Sequence, residues 1–272
     1  MATNTQERTR SGLTVERVAV SAFEVPTVGP DGEEADGTLT WSSTTMVLVE
    51  LEAGDFQSLG YTYADVAAAK LIDSQLADLV KGRDPVHTGA IWRDLDRALR
   101  NTGRPGVGAL ALSAVDMALW DLKAKMLGLP LFERLGPFHD RVPIYASGGF
   151  CNYPVRRLVE QVERWVERGG GVTGLLQVAG LAAGHSIDLS AHCAPAASAH
   201  AFCAVPRLRH LEYCHDHVRL EAMLFDGTPS PQGGQPVPDP SRPGWGSSSS
   251  GPTPSATAST APAESELLTA RR

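Results

Sequence analysis

Hydrophobic positions alternate closely at two places near the start of the chain. Val15 to Val25 (VERVAVSAFEV) and Thr45 to Leu51 (TMVLVEL) are rich in β-branched residues and predict strands. QSLGYTY predicts a third. The spacing then lengthens. ADVAAAKLIDSQLADLVKG predicts a helix closed by Gly82, and TGAIWRDLDRALRN a second. In ALSAVDMALWDLKAKMLGLPL, Leu112, Val115, Leu119, Leu122 and Met126 recur at helical spacing and draw one apolar stripe. Asp121 and Lys125, one turn apart, are expected to pair on the exposed side, and Gly128 to end the helix. The first ~130 residues thus read as an antiparallel sheet followed by helices, an α+β unit.

From Arg141 strands and helices alternate, which predicts a parallel sheet. RVPIYASGG is a strand; Pro154 opens a helix with Val155, Leu158, Val162 and Trp165 inward. Three glycines, Gly169 to Gly171, lead straight into another helix, Thr173 to His185, with no strand between them. IDLSAH (strand), APAASAHAFCAVP (helix) and RHLEY (strand) follow. The 86 residues from Arg141 to Asp226 hold about three strands, whereas a closed eight-unit barrel takes ~250 residues. After Gly246 the chain turns to Ser, Thr, Pro and Ala, a composition too poor in large apolar groups to offset ordering entropy. The expected division is a disordered N-terminus (1–14), an α+β unit (15–140), a truncated β/α-barrel remnant (141–245) and a low-complexity tail (246–272).

Composition narrows the setting. A net charge of −7 with dispersed Lys and Arg argues against a nucleic-acid partner. No uninterrupted apolar run approaches the ~20 residues of a membrane span, and the polar N-terminus lacks a signal peptide's apolar core. Four cysteines without an export signal suit free thiols in a reducing compartment, so the expected location is cytoplasmic.

GYTYADVAAAKLI, KGRDP, RNTGRPGVGALALSAVDMALWDLKAKMLGLPL, VPIYASGGF, GGVTGLLQVAGLAA, IDLSAH and LRHLEY, taken in order, resemble the mandelate racemase/muconate-lactonising branch of the enolase superfamily over roughly Val15 to Gly244. The resemblance implies an α+β capping domain followed by a modified β/α (TIM-like) barrel. It also implies abstraction of the proton α to a carboxylate, with the enediolate stabilised on Mg²⁺, as in acid-sugar dehydratases and racemases. On this alignment VPIYAS corresponds to barrel strand one, IDLSAH to strand seven and RHLEY to strand eight, and strands two to six are absent as one block. Those strands carry the family's Lys-x-Lys base, its acidic Mg²⁺ ligands and the Asp that orients the catalytic His, so no intact Mg²⁺ site is expected.

The resemblance puts His192 at the catalytic histidine's position and Glu212 at that of the strand-eight acid. Asp188 lies roughly 13 Å back along the strand and cannot serve His192. Ser147 corresponds to a position that contacts the substrate carboxylate, with a turn-capping serine as the alternative. Tyr61, Tyr63 and the loop from Pro26 to Thr40 correspond to elements that close over a small carboxylate or acid-sugar substrate; the two tyrosines read equally as core aromatics. His192, Cys193, His200, Cys203, His210, Cys214, His215 and His217 crowd one segment and raise a weak zinc site, although their spacing matches no zinc ribbon. Asp216, Glu221 and Asp226 are a poorer substitute for a Mg²⁺ site. The expected function is a remnant without the family's reaction. The alternatives are a non-catalytic binding or oligomerisation module, and a lyase or isomerase whose barrel a second copy completes.

Overall fold

The structure is a computed structural model, and it describes residues 12–28, 33–35, 39–147, 171–249 and 257–258. β1 (Arg17–Pro26), β2 (Ser43–Ala53) and β3 (Phe56–Tyr63) form an antiparallel meander with β2 in the middle. Along β2 the side chains alternate between two cores. Val47, Val49 and Leu51 pack with the helices of this unit, and Met46 and Leu48 with the C-terminal unit. Burial on both faces explains why TMVLVEL reads as an unbroken apolar run.

The helices follow as expected. α1 (Val66–Leu71) continues through a wide turn, Ile72–Leu76, into Ala77–Val80, and α2 spans Thr88–Ala98. Next comes α3 (Ala109–Leu127), ended by left-handed Gly128. The stripe Leu112, Val115, Leu119, Leu122 and Met126 is buried throughout. The helix through Arg104–Leu127 has the length and apolarity to cross a bilayer, but most of its α3 part is buried in the core here. Gly60 sits so close to α3 that a Cβ there would collide with the Ala114 carbonyl and the Ala118 amide.

One expectation fails on α3. Asp121 and Lys125 do pair, at 2.7 Å, but Asp121 is fully buried rather than exposed. The reason is a need elsewhere: Asp121 accepts the Leu59 N–H on the outer edge of β3 (3.0 Å) and the Trp245 N–H (2.9 Å). Its carboxyl is raised by burial, against the pull of Lys125. Five residues earlier, Asp116 accepts the Thr173 N–H (2.9 Å) and hydroxyl (2.8 Å), capping the helix that begins at Gly171. Trp120 Nε1 donates to the same hydroxyl (2.9 Å).

After α4 (Leu131–Leu135) the C-terminal unit comprises β4 (Ile144–Ser147), α5 (Gly171–Gly184), β5 (Leu189–Ala191), α6 (Pro195–Phe202), β6 (Leu208–Cys214) and α7 (His215–Leu224). The three strands are parallel in the order β4–β6–β5, the neighbours that strands one, eight and seven of a closed barrel would be. Outside β4, the short pair Pro231–Gln232/Gln235–Pro236 supplies carbonyls to Val142 N (3.5 Å) and Ile144 N (3.3 Å) and covers part of that edge. The helix expected from Pro154 and the glycines up to 170 lie outside the described residues.

The segment after Gly246 differs in part from a disordered tail. Ser248–Ser249 pairs with Phe225–Asp226, and Thr257–Ala258 with β1. Backbone pairing and the Ser249 hydroxyl's bond to Glu50 (3.1 Å) hold these small residues, which have little apolar surface of their own.

Two predictions follow from this packing. Gly60→Ala should destabilise the fold by several kcal/mol, because backbone stands where the methyl would go; Asp116→Ala should cost about 1–2 kcal/mol through loss of the cap. Chemical denaturation reads both, and an Asp116→Ala chain as stable as the parent would refute the capping role. The second prediction is a pH dependence. Burial pushes Asp116 up to about 7 and Glu221 up to about 8, so the folded state holds protons that the unfolded state has released. Their stabilisation is complete below the unfolded carboxylate range and is lost as pH rises through about 7 and 8. His200 and His217, pushed down by burial to about 3 and about 4, act oppositely, losing stability as pH falls below the free histidine value of about 6.5. The two pairs offset each other in mild acid. Above about pH 6.5 only the carboxylates act, so denaturation midpoints should fall towards pH 8 and fall less in Glu221→Gln.

Candidate functional site

The site stands at the C-terminal ends of the parallel strands, where such sheets place their chemistry. Register builds it. Ala191 pairs with Leu211, so the next residues along, His192 and Glu212, come side by side. His192 Nε2 lies 3.3 Å from Glu212 Oε2. A carboxylate therefore does stand beside His192, which the sequence reading did not provide; it comes from the neighbouring strand. Asp188 is engaged elsewhere, 2.7 Å from Arg207.

Cys193 and Ala194 then take left-handed backbone angles, with φ of 62° and 45°. This is costly for residues with a Cβ and persists only where the surroundings fix it. Here they do: Cys193 N–H donates to Glu212 Oε2 (3.2 Å), Ala194 N–H to His217 Nδ1 (3.4 Å), and the Ser198 hydroxyl to the Cys193 carbonyl (3.0 Å). The turn carries the Cys193 sulfur back to His192, 3.0 Å from Nδ1 and 3.6 Å from Nε2. Imidazole, thiol and carboxylate thus form one cluster. Glu212 is buried, and the His192 side chain is one-third exposed.

The capping sheet reaches in behind this cluster. Tyr61 donates to Glu221 Oε1 at 2.6 Å, and Glu221 Oε2 accepts the Ala196 N–H at the start of α6 (2.9 Å). Burial first, then the Glu221 charge, raises the Tyr61 hydroxyl well above its ordinary value. Tyr63 stacks on His217, with centroids 3.7 Å apart and planes 9° from parallel. Both tyrosines lie between the two units. Arg219, on α7, donates to the Pro26 carbonyl (3.1 Å); most of the loop beyond Pro26 is outside the described residues. Ser147 ends β4 opposite Cys214, and its side chain is outside the description.

The broader metal readings contract. Of the eight His and Cys residues between 192 and 217, only His192 and Cys193 converge with a carboxylate among the described residues. Cys203 is buried and donates to the Ala199 carbonyl, and His200 is buried between Phe132 and Trp245. Glu221 is committed to Tyr61 and α6, and Asp226 is 3.6 Å from Arg242, so with Asp216 they form no convergent oxygen set. Mg²⁺ needs near-octahedral oxygen ligands, and a donor set of one nitrogen, one sulfur and one carboxylate does not fit it. Lys123 and Lys125 make the chain's Lys-x-Lys, but they sit on α3, over the Trp120 ring (4.9 Å) and against Asp121. Sequence reasoning missed Asp116, Asp121 and Glu221 as organising groups. A carboxylate within an apolar helix was the available signal for the first two; Glu221 gave none.

Residues 35–136 match the mandelate racemase/muconate lactonizing enzyme N-terminal domain family, and residues 156–250 the enolase C-terminal domain-like family. Among curated proteins, the L-talarate/galactarate dehydratase of Salmonella typhimurium is 31% identical over 182 residues, covering 64% of this chain and 45% of the relative. The 3,6-anhydro-alpha-L-galactonate cycloisomerase of Streptomyces coelicolor is 31% identical over 160 residues, covering 57% and 44%. The chain thus spans less than half the length of these two relatives. A racemase from Streptomyces coelicolor solved with bound magnesium shares the fold at TM-score 0.72 and 20% identity, covering 86% of this chain and 97% of that one. A mandelate racemase/muconate lactonizing enzyme-like protein from Rubrobacter xylanophilus superposes at TM-score 0.80 with 38% identity, covering 87% of this chain and 97% of that one. With a capping domain, a partial barrel and these matches, the chain belongs to the mandelate racemase/muconate lactonizing enzyme family of the enolase superfamily.

Proposed function

We propose that this chain is a family member that keeps the strand-seven and strand-eight positions, His192 and Glu212, without carrying out α-proton abstraction from an acid sugar. The observation that carries the reading is the distribution of lysine. The chain has four, Lys70, Lys81, Lys123 and Lys125, all before the first barrel strand. A lysine base at a strand end is therefore unavailable between residues 126 and 272. His192 is the remaining candidate. Its Nε2 lies 3.3 Å from Glu212 and its Nδ1 3.0 Å from the Cys193 sulfur, contacts that a base accepting a substrate proton has to give up.

The second requirement is stabilisation of a dianionic enediolate. Electrostatic stabilisation is usually the largest contribution to such a barrier, and general-base catalysis is worth a further 10²–10⁴-fold. Magnesium supplies that stabilisation in the family's chemistry, but the clustered donors here do not suit it. Glu212, which accepts from Cys193 and faces His192, is already engaged within the protein.

The test is solvent deuterium exchange at the α-carbon of a panel of acid sugars and mandelate-like acids, with Mg²⁺ present. Exchange should not exceed the buffer rate. Exchange above that rate that disappears in His192→Ala would overturn the proposal and indicate a site completed by a second copy.

A further inference from the structure

We infer that His192, Cys193 and Glu212 form a binding site for a single Zn²⁺-like cation. With Zn–S near 2.3 Å, Zn–N near 2.05 Å and Zn–O near 2.1 Å, a tetrahedral ion spaces its ligands by about 3.5 Å (S to N), about 3.4 Å (N to O) and about 3.6 Å (S to O). The corresponding separations here are 3.6 Å from Cys193 Sγ to His192 Nε2, 3.3 Å from Nε2 to Glu212 Oε2, and 4.0 Å from Sγ to Oε2. Each separation is within about 0.4 Å of its ideal, while the sulfur also lies 3.0 Å from Nδ1 and so stands off the Nε2 lone-pair axis. Binding therefore turns the His192 and Cys193 side chains so that the Nε2 lone pair and the sulfur meet at the ion, with Glu212 as the fixed ligand.

The surroundings are those of a built site. Glu212 is held by the Cys193 N–H, the outer contact that orients a carboxylate ligand. The left-handed turn at Cys193 and Ala194 turns the sulfur back towards the imidazole instead of letting it follow the strand. His217, whose Nδ1 accepts the Ala194 N–H, and Ser198, which holds the Cys193 carbonyl, fix that turn. Three protein ligands leave a fourth position for water or another ligand. A thiolate and an imidazole select zinc or cobalt over magnesium. Binding requires the thiolate, so uptake of the ion releases the thiol proton to solvent.

The proposal is independent of whether the chain acts on acid sugars. Calorimetric titration of the reduced, metal-stripped full chain with Zn²⁺ should give one ion per chain, with an enthalpy that varies with the buffer's ionisation heat. Co²⁺ should produce thiolate-to-metal charge-transfer absorption, and excess Mg²⁺ should leave both signals unchanged. Cys193→Ser should abolish that absorption, and it and His192→Gln should each weaken Zn²⁺ binding at least ~100-fold, beyond the 10–100-fold worth of outer-shell contacts. Both side chains are partly exposed, and circular dichroism checks that the variants fold; if one does not, the other decides. No stoichiometric Zn²⁺ binding by the parent chain, binding with the absorption intact in Cys193→Ser, or displacement by Mg²⁺ would each overturn the assignment.

Discussion

Two buried carboxylates on one helix hold this molecule together. Asp116 and Asp121 lie in α3 among apolar residues with no exposed surface, and each accepts main-chain N–H groups from other elements. Asp121 closes the outer edge of the capping sheet and binds the chain at Trp245; Asp116 caps the helix that opens the described second half of the C-terminal unit. Burying an ionisable group is costly unless its hydrogen bonds are met, and these meet theirs across element boundaries. The helix thereby sets where the two units sit, and Gly60 sets how closely the sheet approaches it.

The site depends on that placement only indirectly. His192, Cys193 and Glu212 come from two adjacent strands and one turn, all within the C-terminal unit. The capping sheet buttresses them through Tyr61 on Glu221 and Tyr63 on His217. Glu221 in turn holds the start of α6, which holds the turn at Cys193. Contacts from the first unit therefore reach the His192 cluster through the start of α6 and through His217 rather than directly.

In related folds the strand ends of the barrel face one another around a closed ring. Here the described strands are three, and what gathers at their ends is local: neighbours in register, plus one residue thrown back by a left-handed turn. Among the described residues this gathers a compact cluster of three donor atoms. A soft or borderline ion needs no more than three such ligands and one open position. An octahedral oxygen cage needs contributions from around a ring.

The sequence by itself determined the elements. Short-range periodicity marks β1 to β3, α3 and the strand–helix alternation after Arg141, because spacing of apolar residues directly records which face is buried. The ordered segments also carried the family, and with it the parallel order of strands one, eight and seven. Tertiary structure alone decided three other matters. Asp121 reads as one half of an exposed ion pair until the unpaired Leu59 N–H on the sheet edge claims it. Ser248–Ser249 reads as unordered until Phe225–Asp226 offers it a partner strand. His192 finds its carboxylate through register with a strand some twenty residues on, and Cys193 joins them through backbone angles that neither cysteine nor alanine favours. Local propensity cannot record such features, because their stabilisation comes from hydrogen bonds to residues distant in the chain.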